Sequence, residues 1–178
     1  DRFITLCGGN KNALRAAAAF QFCFPGIPAV YYGDEVGMAG GNDPDCRGAM
    51  IWDQEKQDAE LLSWYRYLIA LRHAYPALRY GRFGCNYAAG KVYGIFREYE
   101  GKRMYVVINN GRSPVDIALP LLENPGQEIH DLETEDVYPI LKNKQGYNED
   151  IHTYNGKIKL HLAPWQVCIL MKRLVLGS

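Results

Sequence analysis

The chain has 178 residues, 48% of them hydrophobic and 12% aromatic, enough for one ordinary domain or two small ones to bury a core. Twenty basic side chains balance twenty acidic ones, which excludes a global field that would hold nucleic acid or an anionic membrane surface. No apolar run reaches the length of a membrane span, and the five scattered cysteines form neither a CxxC pair nor a zinc-finger spacing with the four histidines. The expectation is a soluble, cytoplasmic protein with reduced thiols and with no cofactor or metal.

In chain order, residues 10–22 read as a helix. Asn10 is the N-cap, and a dense alanine run lets the helix approach a neighbour closely. Pro25-Gly26 ends it. Ala29-Val30-Tyr31-Tyr32 then reads as a short strand without alternation, as expected of one buried on both faces. It ends abruptly in Gly33-Asp34-Glu35, and a glycine-rich polar loop carries Asp43, Asp45 and Arg47 before closing on Met50 and Trp52.

Residues 56–73 give the strongest helical pattern. Leu61, Trp64, Tyr65, Leu68 and Ile69 mark an apolar stripe that continues to Arg72, where a cation suits the helix C-terminus. Glu55, Asp58 and Glu60 favour its start, and Pro76 stops it. Helix, buried strand, helix is the βα repeat of a parallel sheet or barrel.

Beyond residue 79 the texture turns to short strands, at 92–99, 102–109, 115–119, 128–132, 137–140, 157–162 and 166–171. Glu100-Gly101 is a two-residue hairpin signal and Asn110-Gly111 marks the next turn. The stretch 142–155 is polar and loop-like. Strands at this spacing suggest an antiparallel sandwich. The boundary falls between Leu78 and Arg82, giving domains 1–79 and 80–178.

The stretch from Tyr31 to Trp52, with its Gly40-Gly41-Asn42-Asp43-Pro44-Asp45-Cys46-Arg47 core and the following Met50-Ile51-Trp52, resembles the eighth strand and loop of the α-amylase family barrel. The likeness is to the neopullulanase, cyclomaltodextrinase and maltogenic-amylase branch, and the one departure is Ala49, where that branch usually has Pro. The fold class the resemblance implies is α/β plus all-β: the C-terminal remnant of a (β/α)8 barrel followed by an antiparallel β-sandwich. Barrel active sites form at the C-terminal ends of the strands, so the loop would lie on the active face.

The resemblance further implies that Asp43 and Arg47 contact glucose units on the non-reducing side of the cleaved bond. Tyr32 and Glu35 complete the expected substrate-binding set, Tyr32 offering an aromatic face to the sugar ring. For each there is a plainer reading: Asp43 and Arg47 pairing to order their loop, Glu35 bridging loops, and Met50 and Trp52 packing. Adjacent Asp34 and Glu35 on a strand end would point apart and are poorly arranged to flank one bond. The catalytic carboxylates are implied to lie upstream. The best register puts Arg2 at the arginine of a His-Asp-Thr-x-Arg motif, so no catalytic residue is assigned here; a shifted register would make Asp1 the catalytic Asp and misplace Arg2.

The expected partners are an α-glucan or maltooligosaccharide and the upstream part of the same enzyme, with a homo-oligomer left open. Two other readings stand beside this one. A non-catalytic carbohydrate-binding or scaffold module would need an exposed aromatic platform, for which Tyr87, Tyr93, Tyr99 and Tyr105 are candidates. A catalytically dead transporter subunit would need an upstream membrane segment.

Overall fold

The computed structural model describes residues 1–121, 137–139, 153–154 and 156–173. They form two compact units, Asp1–Tyr75 and Pro76–Ser178.

The first unit is helical. A short helix α1 (Phe3–Leu6) precedes α2 (Lys11–Cys23), whose N-cap Asn10 accepts from the N–H groups of Asn12 and Ala13. Helix α3 (Ala59–Ala74) is capped in the same way, Asp58 accepting from the N–H of Leu61. Such caps satisfy donors that have no partner inside the helix. The buried face of α2 (Ala13, Leu14, Ala16, Ala19, Phe22) packs on α3, where Leu61, Tyr65, Leu68 and Leu71 are buried. Phe22 meets Tyr65 edge-on at 6.1 Å, and Trp64 donates its indole N–H to the Arg15 carbonyl. Each fully buried aliphatic side chain here contributes about 1.5–3 kcal/mol.

The expected stripe needs one correction: Leu71 is buried, whereas Ile69 is 42% exposed. Arg72 also serves a different helix from the one expected. Its guanidinium donates to the carbonyls of Phe22, Phe24 and Gly26, closing the C-terminus of α2.

The run 29–32 joins no ladder among the described residues, ends in a turn at Tyr32 and is not buried on both faces. Val30, Tyr31 and Tyr32 are each at least 40% exposed. β-Branched and aromatic residues favour extended backbone, yet a strand exists only where a neighbour pairs with it.

In the second unit, α4 (Ala77–Tyr80) leads into an antiparallel sheet with the order β1-β2-β3-β8-β5. Its strands are β1 (Arg82–Ala89), β2 (Val92–Tyr99), β3 (Lys102–Asn109), β5 (Val137–Pro139) and β8 (Val167–Arg173). A second antiparallel sheet, β4-β7-β6, is formed by β4 (Val115–Pro120), β6 (Thr153–Tyr154) and β7 (Lys157–Leu162). Glu100 and Gly101 both take positive φ, 47° and 69°, the geometry of a type I′ turn that matches strand twist.

Alternation sends Tyr105 and Val107, Ile117 and Leu119, Ile158 and Leu160, and Cys168 and Leu170 into one shared core. Asn109 is 1% exposed and ties this unit together. Its amide Nδ2 donates to the carbonyls of Ser113, Leu162 and Ala163, and its Oδ1 accepts from the N–H of Gly111.

Strand β1 was not expected, nor was β6 inside the polar stretch. The expected strand at 128–132 lies outside the described residues. No helix among the described residues is long and apolar enough to cross a membrane.

Candidate functional site

The loop that follows Tyr32 is built from tight turns. Gly33 and Gly37 take left-handed φ values of 86° and 79° on either side of a one-turn 3-10 helix, Asp34–Val36. Only glycine adopts this conformation without strain. At Gly33 a Cβ would also stand 2.2 Å from the Sδ of Met38, which is 5% exposed. Asp34 and Glu35 therefore lie in a turn, not at a strand end as expected. The N–H of Asp58 donates to the Val36 carbonyl, fixing this turn to the start of α3.

A second 3-10 turn, Asp45–Arg47, carries the polar tip. It presses on Gly40, where a Cβ would lie 2.7 Å from the Asp45 carbonyl oxygen and 2.8 Å from the Cα of Cys46. The N–H of Gly40 donates to Thr5 Oγ1 at 2.9 Å.

Arg2 sits at the centre. Its side chain is 1% exposed, and Nη1 donates to Asp34 Oδ1 at 2.8 Å and to the Tyr32 carbonyl at 2.7 Å. Nε donates to the Cys46 carbonyl at 3.0 Å, and the backbone N–H of Arg2 to that of Gly40 at 2.9 Å. The guanidinium also lies 4.7 and 4.9 Å from the ring centroids of Tyr31 and Tyr32, within cation–π range. One buried cation thus holds the base of the first turn and the far side of the second.

Burial pushes the Asp34 carboxyl up. Arg2 pulls it back by hydrogen bond and charge, Glu35 adds repulsion, and the net position is above the ordinary carboxylate range. Tyr65 on α3 is pushed up to about 12 by burial, with the charges of Asp34 and Glu35 adding to it.

The four expected binding residues fall into two groups. Asp43 and Arg47 meet at 2.9 Å with side chains 60% and 67% exposed, at the tip of the loop. Tyr32 and Glu35 belong to its base. Tyr32 is 41% exposed and its hydroxyl donates to the Gly48 carbonyl at 3.0 Å. Glu35 is half-buried, and its Oε2 is a buried atom with no hydrogen-bond partner among the described residues. Arg2 Nη2 is in the same condition.

Trp52, expected to pack, is 80% exposed. Among the described residues no group of three or more His, Cys, Asp or Glu is placed to hold a metal ion. The role of Arg2 escaped the sequence reading, because its three side-chain acceptors lie 30 to 44 residues away. Of the tyrosines weighed as a platform, Tyr105 is fully buried and Tyr87 packs against the sheet core.

Residues 1–81 match the family model for the α-amylase catalytic domain. The chain is 49% identical over 110 residues to a cyclomaltodextrinase of Thermoanaerobacter pseudethanolicus, covering 62% of this chain and 19% of that protein. It is 36% identical over 172 residues to neopullulanase 2 of Thermoactinomyces vulgaris, covering 96% and 27%. A solved cyclomaltodextrinase structure superposes with a TM-score of 0.74 at 32% identity, again over 96% of this chain and 27% of that one. The chain therefore spans between a fifth and about a quarter of the length of these relatives.

Proposed function

Because the chain belongs to the α-amylase family, in its cyclomaltodextrinase, neopullulanase and maltogenic-amylase branch, we propose that it is the C-terminal part of a retaining α-glucan-cleaving glycoside hydrolase. The parent enzyme cleaves α-1,4 bonds, and as a second option α-1,6 bonds, in maltooligosaccharides, cyclodextrins or pullulan. Residues 1–79 are the end of its (β/α)8 barrel and residues 80–178 its β-sandwich. The division into compact units at Tyr75 and Pro76 supports a boundary close by.

The observation that carries this reading is the exposed Asp43–Arg47 pair at 2.9 Å, held out by a loop whose base is clamped on a buried arginine. A carboxylate accepts from a sugar hydroxyl while the guanidinium fork donates to its neighbour, so a preformed pair of this kind suits vicinal hydroxyls. Tyr32 and Glu35, at the base of the loop, complete the substrate-binding set. Retaining cleavage needs two further carboxylates, one a nucleophile and one an acid that turns base. These are placed in the upstream part of the parent, together with the remaining strands that a barrel needs for closure.

Two features support that placement. Ile27, Leu6 and Trp52 are 97%, 66% and 80% exposed, an apolar display that a closed barrel would cover. Arg2 Nη2 and Glu35 Oε2 are buried polar atoms with no hydrogen-bond partner among the described residues, as suits a site completed by upstream residues. The enzyme is placed in the cytoplasm.

The test is product analysis with maltoheptaose and β-cyclodextrin. The full-length parent should release short maltooligosaccharides, and the 178-residue chain alone should release none. An inactive parent overturns the reading. Turnover by the 178-residue chain above a mock-purified control overturns the upstream placement of the carboxylates.

A further inference from the structure

We propose that Arg2 is a positioning residue for substrate binding, acting through the loop that presents Asp43 and Arg47; this rests on the substrate-binding role assigned to that loop above. Arg2 touches neither of those two side chains. It reaches them through the backbone: its Nε holds the Cys46 carbonyl, one residue before Arg47, and its own N–H holds the Gly40 carbonyl, three residues before Asp43. Nη1 fixes the other end of the segment at Tyr32 and Asp34.

The two ends of the Asp34–Cys46 segment are therefore held by one planar group. Asp43 lies within the span it closes and Arg47 one residue beyond it. The Asp43 and Arg47 side chains meet in an exposed ion pair, which contributes little to holding the turn in place. A guanidinium has the fork geometry to hold several acceptors at once. An ammonium is a point charge with a different reach.

Guanidinium loss should let the Gly40–Arg47 turn drift, which weakens substrate capture more than the chemical step. In the full-length enzyme, Arg2→Ala should raise KM for maltoheptaose by about tenfold with kcat changed much less, and Arg2→Lys should give an intermediate KM. Arg2→Ala added to Asp43→Ala should raise KM by less than the product of the two single effects, because part of what Arg2 positions is already gone. Leu68→Ala is the structural control. It opens a cavity in the buried α2–α3 packing and lowers stability, but leaves KM at the wild-type value.

An unchanged KM in Arg2→Ala, or an effect that adds fully to that of Asp43→Ala, overturns the proposal. If Arg2→Ala does not fold, Arg2→Lys decides: a raised KM supports the clamp and a wild-type KM overturns it. If the wild-type parent cleaves no α-glucan, the parent assignment fails on its own, and limited trypsin digestion decides for Arg2. Cleavage after the exposed Arg47 should be faster in Arg2→Lys than in wild type, and an equal rate overturns the clamp.

Discussion

Asp43 Oδ2 and Arg47 Nη2 stand 2.9 Å apart, four residues from each other, while more than half of each side chain faces solvent. An exposed ion pair of this kind is worth about 0–1 kcal/mol. Asp43→Ala and Arg47→Ala in the full-length enzyme should therefore leave the unfolding midpoint nearly unchanged while raising KM for maltoheptaose severalfold. The opposite pattern, lost stability with an unchanged KM, would identify the pair as a loop brace.

Asp58 caps α3 through the N–H of Leu61 and pairs with Lys11 at 2.7 Å. Burial pushes its carboxyl up, but the Lys11 and Leu61 hydrogen bonds and the charges of Lys11 and Arg15 outweigh it, and the net position is below the ordinary value of 3.8. A carboxyl depressed in the folded state is stabilising above its unfolded pKa, and that contribution disappears as pH falls through its folded pKa. Asp58→Ala should cost about 1–2 kcal/mol at neutral pH in denaturant unfolding, and Asp58→Asn, which keeps the cap, less. The gap between wild type and Asp58→Asn should close on acidification below pH 3.8. A gap that persists there points away from the ionised carboxylate.

At Gly40 the obstacles to a side chain are backbone atoms of Asp45 and Cys46, which cannot rotate out of the way. Gly40→Ala should destabilise the protein by about 1–3 kcal/mol and displace the turn carrying Arg47. Denaturant unfolding together with KM for maltoheptaose checks both halves, and a neutral result on both would show that the contact relaxes freely.

Asn109 engages three carbonyls and one N–H with a single amide in a nearly dry site. Asn109→Ala should cost about 2–4 kcal/mol, more than any one of these bonds, because it leaves several buried polar groups unpaired. Asn109→Asp should be at least as damaging, since a carboxylate has no donor to offer the three carbonyls. A loss under 1 kcal/mol for both variants would mean that water replaces the amide without penalty.

The thiols should separate by position. Cys85 is exposed, Cys23 and Cys168 are buried, and burial pushes the Cys168 thiol up to about 12. Native alkylation at pH 8 followed by peptide mass mapping should mark Cys85 first and leave Cys168 unmodified until the chain unfolds. Equal rates at the two sites would contradict the packing of β8.

What the sequence made legible was local. Asn10 announces its helix because a cap acts within three residues, and Glu100-Gly101 announces its hairpin because a type I′ turn needs both residues at positive φ. Asp58 read only as an acid near the start of a helix from 56, whereas it caps one that begins at Ala59. Strand β1 was hidden by Gly84, Asn86, Ala88 and Ala89, which are poor strand formers. Gly84 is there because a side chain would meet the ring of Phe96 on β2.

Residues 29–32 failed in the opposite sense. Their composition favours extended backbone, but the pairing that makes a strand is not a local property. Asp43 and Arg47 were legible through the family resemblance of their loop, with a mutual ion pair as the plainer reading. Arg2 was not, because its role is set by acceptors brought to it from two distant turns. Arg72 misled for a related reason: a cation in the last turn of α3 reads as a dipole partner of its own helix, while its fork in fact closes α2.

The exposure of Trp52 gives this segment an optical gauge. An indole in water emits at longer wavelength than one enclosed by protein, and Trp64, the other tryptophan of the helical unit, is already partly enclosed with its N–H bonded to Arg15. A shift of emission to shorter wavelength, lost in Trp52→Phe, would therefore report the covering of this one ring, whether by the rest of a barrel, by a second copy of the chain or by a sugar, without a label being introduced.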